Sequence, residues 1–227
     1  MRSFLEFLAI VFFVTPKVLW FAYKEEKKVH RLFYKNRSFK KLDLFFHKLY
    51  HLKNPYRICK EYNRAKGLTS CHSYGETPLT VFQEMFEKGN LKTSDSFVDL
   101  GCGRGRGVFF ASSFFGCHSI GVELIPFFCK QAKEISSFAK MKKLQFFCQE
   151  MTSFDVTLGS FFYFYALCME EKEVALTVAH LEKMTLGSKV VSVSFPITEY
   201  SSSFSLISSW EAKYPWGKTR LFLHVKK

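Results

Sequence analysis

Between residues 97 and 195, short apolar runs alternate with longer stretches whose apolar positions recur at helical spacing. Phe97-Val98-Asp99-Leu100, Ser119-Ile120-Gly121-Val122-Glu123, Leu144-Gln145-Phe146-Phe147-Cys148, Ser160 to Leu167 and Lys189 to Phe195 read as five strands. A helix is expected from Thr77 to about Lys88, with Thr77 as N-cap, Pro78 at the first helical position and Gly89-Asn90 as its stop. Others are expected over about 108–115, closed by Gly116, and from about Lys172 to Met184, ending before Gly187. Strands separated by crossover helices require a parallel sheet. The chain then ends on Trp210 to Tyr214, a Pro215-Trp216-Gly217-Lys218 turn and Thr219 to Val225, the pattern of an antiparallel hairpin.

Upstream of residue 74 the pattern changes. Residues 4–23 form an apolar stretch about as long as a bilayer-crossing helix, interrupted by Glu6, Pro16 and Lys17. No small-x-small cleavage site follows, which leaves a membrane anchor, an interfacial helix or a helix packed on the domain. Residues 24–73 are predicted to be a basic helical extension, with Leu42, Leu44-Phe45-Phe46 and Leu49-Tyr50 at helical spacing. Its aromatics stand among lysines and arginines, the composition of a helical core beside a basic surface or of a single-stranded nucleic acid platform.

Charge sharpens that division. The net charge is +13, and residues 1–73 hold 16 Lys/Arg against 5 Asp/Glu while residues 74–227 hold 17 against 15. The basic excess thus belongs to the first third, where it would keep an apolar N-terminus on the cytoplasmic face of an anionic membrane or attract nucleic acid phosphates. The hydrophobic content of 48% places the chain among packed globular proteins. Seven cysteines without a CxxC pair point to a reducing cytoplasm, and scattered histidines without HxxxH spacing to no metal centre.

Candidate chemistry concentrates after the first strand. Asp99-Leu100-Gly101-Cys102-Gly103-Arg104-Gly105-Arg106-Gly107 puts glycine at alternate positions, where the backbone turns sharply and approaches a ligand closely. Glu123 ends the second strand 24 residues beyond Asp99, the place from which a carboxylate accepts hydrogen bonds from ribose hydroxyls. The glycine spacing is wrong for the GxGxxG of dinucleotide enzymes. The Asp-Leu-Gly-Cys-Gly stretch resembles motif I of the class I S-adenosylmethionine-dependent methyltransferases, where the acid serves the methionine end of the cofactor.

That resemblance implies a Rossmann-like α/β fold over 74–227, with a mostly parallel sheet and the terminal hairpin. It implies cofactor contacts from Asp99, Gly101, Cys102, Gly103, Gly105, Glu123 and Leu124, and from an acid after the third strand facing adenine, for which Glu150 and Asp155 are both candidates. Tyr74-Gly75-Glu76-Thr77-Pro78 resembles the Tyr-Gly-Glu-Thr element of Dot1-type protein-lysine methyltransferases, which implies that Tyr74, Glu76 and Thr77 border the cofactor, with Tyr74 and Glu76 as catalytic candidates. Gly121 to Pro126 and Val193-Ser194-Phe195-Pro196 resemble strand ends of membrane-anchored lysine methyltransferases of the ATP synthase c-subunit type. The chain departs from both groups in reading Gly-Cys-Gly-Arg-Gly where they favour Gly-Ser-Gly. Ala166-Leu167-Cys168-Met169 stands where base-amino methylases carry Asn/Asp-Pro-Pro-Tyr/Phe.

The expected reaction is an in-line displacement at a sulfonium methyl, which needs alignment and a deprotonated acceptor more than dedicated acid/base groups. A protein lysine near a membrane is the favoured acceptor. RNA docked on residues 24–66 and a small molecule are the alternatives.

Overall fold

The computed structural model of the protein describes residues 15–67, 74–167 and 169–227. The apolar stretch up to residue 14, Cys71 and Cys168 lie outside them. Three helices come first: α1 (Thr15–Phe33), α2 (Arg37–Tyr50) and α3 (Pro55–Lys66). The boundary expected at residue 23 falls inside α1, which runs through it without a break. Asn36 caps α2 by accepting the Phe39 amide at 3.0 Å, and Asn54 caps α3 from just before Pro55. Gly67 ends α3 at φ +63°, a left-handed position that a glycine occupies without strain.

The second part interleaves α4 (Leu79–Lys88), β1 (Ser96–Leu100), α5 (Arg106–Phe110), β2 (His118–Glu123), α6 (Pro126–Phe138), β3 (Leu144–Cys148), β4 (Phe161–Tyr165), α7 (Glu171–Leu181), β5 (Lys189–Val193), β6 (Phe204–Tyr214) and β7 (Gly217–Lys226). The strand order is β3-β2-β1-β4-β5-β7-β6, parallel from β1 to β5, with β7 antiparallel to both β5 and β6. This is the Rossmann-like α/β sheet with a terminal hairpin that the sequence predicts. The hairpin is longer than expected, because β6 begins at Phe204, and only Pro215 and Trp216 lie between its strands. The helix after the glycine turn begins at Arg106, two residues early, and ends in a π-helical turn over Ala111–Phe115.

Alternation along the strands sorts the side chains into two layers. Val98, Leu100, Phe162 and Phe164 meet Val174, Val178 and Leu181 of α7 on one face. Phe97, Phe161 and Tyr163 point to the other, where α4, α5 and the N-terminal helices pack. Phe33 and Phe39 of the extension meet Phe110 and Phe114 at centroid distances of 4.7–5.6 Å in edge-to-face arrangements. Each such buried ring contributes roughly 1.5–3 kcal/mol of burial, and the preferred geometry adds about 0.5–1.5 kcal/mol per pair. The aromatics Phe33, Phe39, Phe46 and Tyr50 are therefore core, and the lysines among them face outward.

Two expectations about the N-terminal part meet the structure here. Among the described residues, no helix is long and apolar enough to cross a membrane. The first turns of α1 stand clear of the domain, with Leu19, Trp20 and Tyr23 exposed. Lys24 lies over the Trp20 ring at 4.8 Å and Lys27 over the Tyr23 ring at 4.7 Å.

Candidate functional site

The carboxyl ends of β1, β2 and β4 open onto a cavity of about 330 Å³. The turn after β1 forms its floor, fastened to β2 by the Gly101 and Cys102 amides, which donate to the Val122 carbonyl at 2.9 and 3.0 Å. Gly103 must be glycine on two counts. Its φ is +54°, and a Cβ there would sit 3.0 Å from the Tyr74 ring.

Glu123 anchors the turn from the other side. One carboxylate oxygen accepts the Gly103 amide at 2.7 Å and the other the Ile125 amide at 2.8 Å. Burial pushes its carboxyl up, and these amides work against that shift. Each oxygen keeps a second lone pair, and the side chain lines the cavity, the arrangement that ribose hydroxyls need. Leu124 and Glu150 line the same cavity. Asp155 does not: it caps a short turn by accepting the Thr157 amide at 3.0 Å, so geometry separates the two acids that the sequence left equivalent.

A second, smaller cavity of about 40 Å³ lies beyond the turn and shares Tyr74, Gly75, Gly101 and Tyr165 with the first. Asp99, Cys102, Glu76 and Thr77 line it. Burial, and then the nearby Glu123 carboxylate, push the Asp99 carboxyl up to about 8. No basic side chain among the described residues pairs with it. The Glu76 oxygen Oε1 is also buried in this region without a hydrogen bond. Arg106 Nη1 lies 3.9 Å from that oxygen, so it is the Asp99 carboxyl, buried without a cation, that suits a ligand bringing an ammonium group.

Thr77 departs from expectation. Pro78 occupies the cap position of α4, and the Thr77 hydroxyl lies 2.6 Å from the Tyr163 hydroxyl on β4. Thr77 therefore ties the strap at residues 74–78 to the centre of the sheet, and the first turn of the helix is capped instead by the Glu25 carboxylate of α1, which accepts the Thr80 amide at 3.1 Å. Gly105 also departs from its expected contact, because it lines neither cavity. Its φ of +81° starts α5, and a Cβ there would meet the Phe146 ring at 2.8 Å.

Several lining residues escaped sequence reasoning. Cys59, Tyr62 and Asn63 of α3 form a wall of the large cavity, so the extension completes the site. The signal available was Asn63, a polar residue on the inward face of an amphipathic helix. Met151 and Thr152 after β3, Tyr165 at the end of β4 and Met169 beyond it also line the cavity. The two arginines of the turn were likewise unassigned. Arg104 pairs with Glu76, and its Nε donates to the Tyr74 hydroxyl at 2.9 Å. Arg106 makes a two-pronged contact with Asp43 of α2 at 2.9 and 2.8 Å.

Glu26, Asp43 and His47 converge in a way that three ligands of a metal ion would. The Arg106 guanidinium already supplies the cation, and burial of Asp43 is outweighed by hydrogen bonds from His47 and Arg106 that hold its carboxyl well below the usual range.

Fold and site together define a domain of the class I, S-adenosylmethionine-dependent methyltransferase type. Comparison with known proteins agrees and narrows the likeness. The family model described as histone methylation protein DOT1 matches residues 60–164, from α3 through the strap and the glycine turn to β4. A histone-lysine N-methyltransferase of Dictyostelium discoideum, H3 lysine-79 specific, is 24% identical over 159 residues, covering 63% of this chain. The chain matches only 9% of that relative's length. Among solved structures, an RNA methyltransferase from Salinibacter ruber in complex with S-adenosyl-L-homocysteine superposes with a TM-score of 0.57 at 20% identity, covering 67% of this chain and 95% of that one. A point mutant of MtNAS superposes with a TM-score of 0.59 at 12% identity, over 99% of this chain and 94% of that one. These structures share the fold.

S-adenosylmethionine is the cofactor of this class, and the residues present fit it. Glu123, Leu124 and Glu150 line the large cavity, where they would meet the nucleoside, and Asp99, which lines the small one without a basic partner among the described residues, would accept the ammonium of the methionine end.

Proposed function

We propose that the protein transfers a methyl group from S-adenosylmethionine to the amine of a protein lysine. The observation that carries this reading is the strap at Tyr74 to Thr77. Its Tyr74 and Gly75 line both cavities, its Glu76 and Thr77 line the small one, and it lies inside the segment similar to the Dot1 family. The cofactor supplies an electrophilic methyl on sulfur. The chain's part is to orient it: Asp99 takes the ammonium, Glu123 the ribose, and Tyr74, Gly75 and Tyr165, which line both cavities, border the place where an acceptor nitrogen would approach in line.

The same proposal assigns a place of action, the cytoplasmic face of an anionic membrane. Support comes from the exposed Leu19, Trp20 and Tyr23 on α1 with Lys24 and Lys27 beside their rings, the arrangement of an interfacial helix. An RNA acceptor is the competing reading, favoured by the basic outer face of the extension.

Incubation of the purified protein with methyl-labelled cofactor and fractionated lysate separates them. Label in protein, released as methyl-lysine on hydrolysis, is the expected result. Label confined to RNA overturns the acceptor assignment, and failure of the parent protein to bind anionic vesicles overturns the place.

A further inference from the structure

The glycine turn carries two arginines, and Arg104 touches both the strap and α2 beside the small cavity, which it also lines. Its guanidinium pairs with Glu76 Oε2, and its Nε donates to the Tyr74 hydroxyl at 2.9 Å. The Tyr74 hydroxyl itself donates to Glu76 Oε2 at 3.1 Å, closing a three-residue ring of hydrogen bonds. The guanidinium also lies over the rings of Phe46 and Tyr50 of α2, with centroid distances of 4.6 and 4.9 Å. Only 13% of the side chain is exposed.

Three chain segments distant in sequence therefore meet on one cation. Thr77 is fixed to Tyr163, and the Tyr74 ring packs against Tyr56 and Phe128 at centroid distances of 5.2 and 5.6 Å, while the polar ends of Tyr74 and Glu76 meet on Arg104. Arg104 holds Oε2, while Oε1 makes no hydrogen bond and lies 3.9 Å from Arg106 Nη1, and Glu76 borders the small cavity that Asp99 also lines. Arg106 gives its two-pronged contact to Asp43, fastening α2 to the first turn of α5, and approaches Glu76 only at 3.9 Å without a hydrogen bond.

We infer that Arg104 is a positioning residue for the methionine end of the cofactor. It acts through Glu76 and Tyr74, and so makes the strap preformed before the ligand arrives. The inference rests on the cofactor reading above, and says which half of the ligand depends on this arginine. The adenosine half is held by Glu123, Leu124 and the large cavity, which Arg104 does not line.

The test compares two probes by calorimetry: S-adenosylmethionine, which has the methionine end, and adenosine, which lacks it. Arg104→Met is expected to weaken S-adenosylmethionine about thirtyfold while changing adenosine by less than about twofold, the scale of losing hydrogen bonds to a charged group. Glu76→Gln should produce a loss of similar size. The double variant should be no weaker than the worse single one, because both changes break the same link. Should Arg104→Met fail to fold, Glu76→Gln and Arg104→Lys carry the same comparison between probes.

Unchanged S-adenosylmethionine affinity in the variants, equal losses for both probes, or strictly additive losses in the double variant would each overturn the inference. Additivity would mean that Arg104 meets the ligand itself. A parent protein that binds neither probe refutes the cofactor reading instead, and is thereby told apart.

Discussion

The two parts of this molecule use aromatic and charged residues to opposite ends. In the sheet domain, Asp99 and Glu123 are buried at strand ends with no basic side chain among the described residues beside them, and their carboxyls are pushed up by burial. In the helical extension, charge is abundant outside, and the one deeply buried acid, Asp43, is neutralised by Arg106 of the other part. Unpaired burial marks a place prepared for a ligand, whereas paired burial marks a joint. The extension is consequently part of the catalytic domain's architecture, clamped at Arg106 and Arg104 and supplying a cavity wall through α3.

Breaking the joint should have the largest effect. Asp43→Ala would leave Arg106 shut away from solvent with no two-pronged partner, since the Asp43 side chain is 1% exposed and that of Arg106 14%. Removing one member of such a buried pair costs about 3–5 kcal/mol. Chemical denaturation should therefore show a large drop in the midpoint for Asp43→Ala, and a smaller one for Asp43→Asn, which keeps a hydrogen-bond acceptor. A drop confined to the level of surface substitutions would mean that the extension is not clamped there.

Emptying the prepared place should weaken binding without that cost. Asp99→Asn is nearly isosteric and removes the acceptor for an ammonium, so S-adenosylmethionine affinity should fall about 100-fold, the order of losing one partner of a buried charge pair. Stability should not fall with it. The parent's Asp99 is protonated in the folded state up to about 8, whereas the unfolded chain ionises near the ordinary carboxylate value. The folded state thus binds the extra proton, and this group's contribution to stability declines as pH rises from about 4 to about 8. Above pH 8, Asp99→Asn should unfold at a higher temperature than the parent.

The same proton sets a pH profile for binding. Pairing with an ammonium requires the ionised carboxylate, so affinity should rise toward pH 8, by up to about tenfold per pH unit, and then level off. Asp99→Asn should flatten the rise. A parent profile that is flat from pH 6 to 8 would show that this carboxyl does not meet the cofactor's cation.

How much of this the sequence discloses depends on distance along the chain. The glycine turn, Asp99 and Glu123 are encoded within 25 residues, and strand, turn and acid are each recognisable from local composition. Thr77 reads as a helix cap because Pro78 follows it, but its partner Tyr163 is 86 residues away. Arg104 and Arg106 look like polar turn residues, because the rings and the acid that enclose them lie more than 50 residues upstream in α2. The full length of β6 is hidden because its first half, Ser205 to Ser209, is a solvent-facing run with no strict alternation, broken by a bulge between Leu206 and Ser208. Asn63 could have signalled that α3 faces a ligand, yet nothing local distinguishes a cavity wall from a satisfied core.

The smallest expected effect concerns the outer face of the extension, and it decides what that face is for. Lys41 and Lys48 lie on α2 opposite Phe39, Phe46 and Asp43, and both are exposed. Neutralising them as Lys41→Gln and Lys48→Gln should change stability by no more than about 0.5 kcal/mol each, because surface substitutions away from buried features rarely do more. S-adenosylmethionine affinity should be unaltered too, since neither residue lines a cavity. Were the face to dock RNA phosphates, each substitution would lower the salt slope of RNA binding by about one, uniformly across sequences. The inner face of the same helix would give the reverse result: loss of Phe46 costs roughly 3–5 kcal/mol of folding and has no direct bearing on salt. Two faces of one helix, one read by denaturation and the other by salt dependence, thus separate the helix's role in building the site from its use as a landing surface.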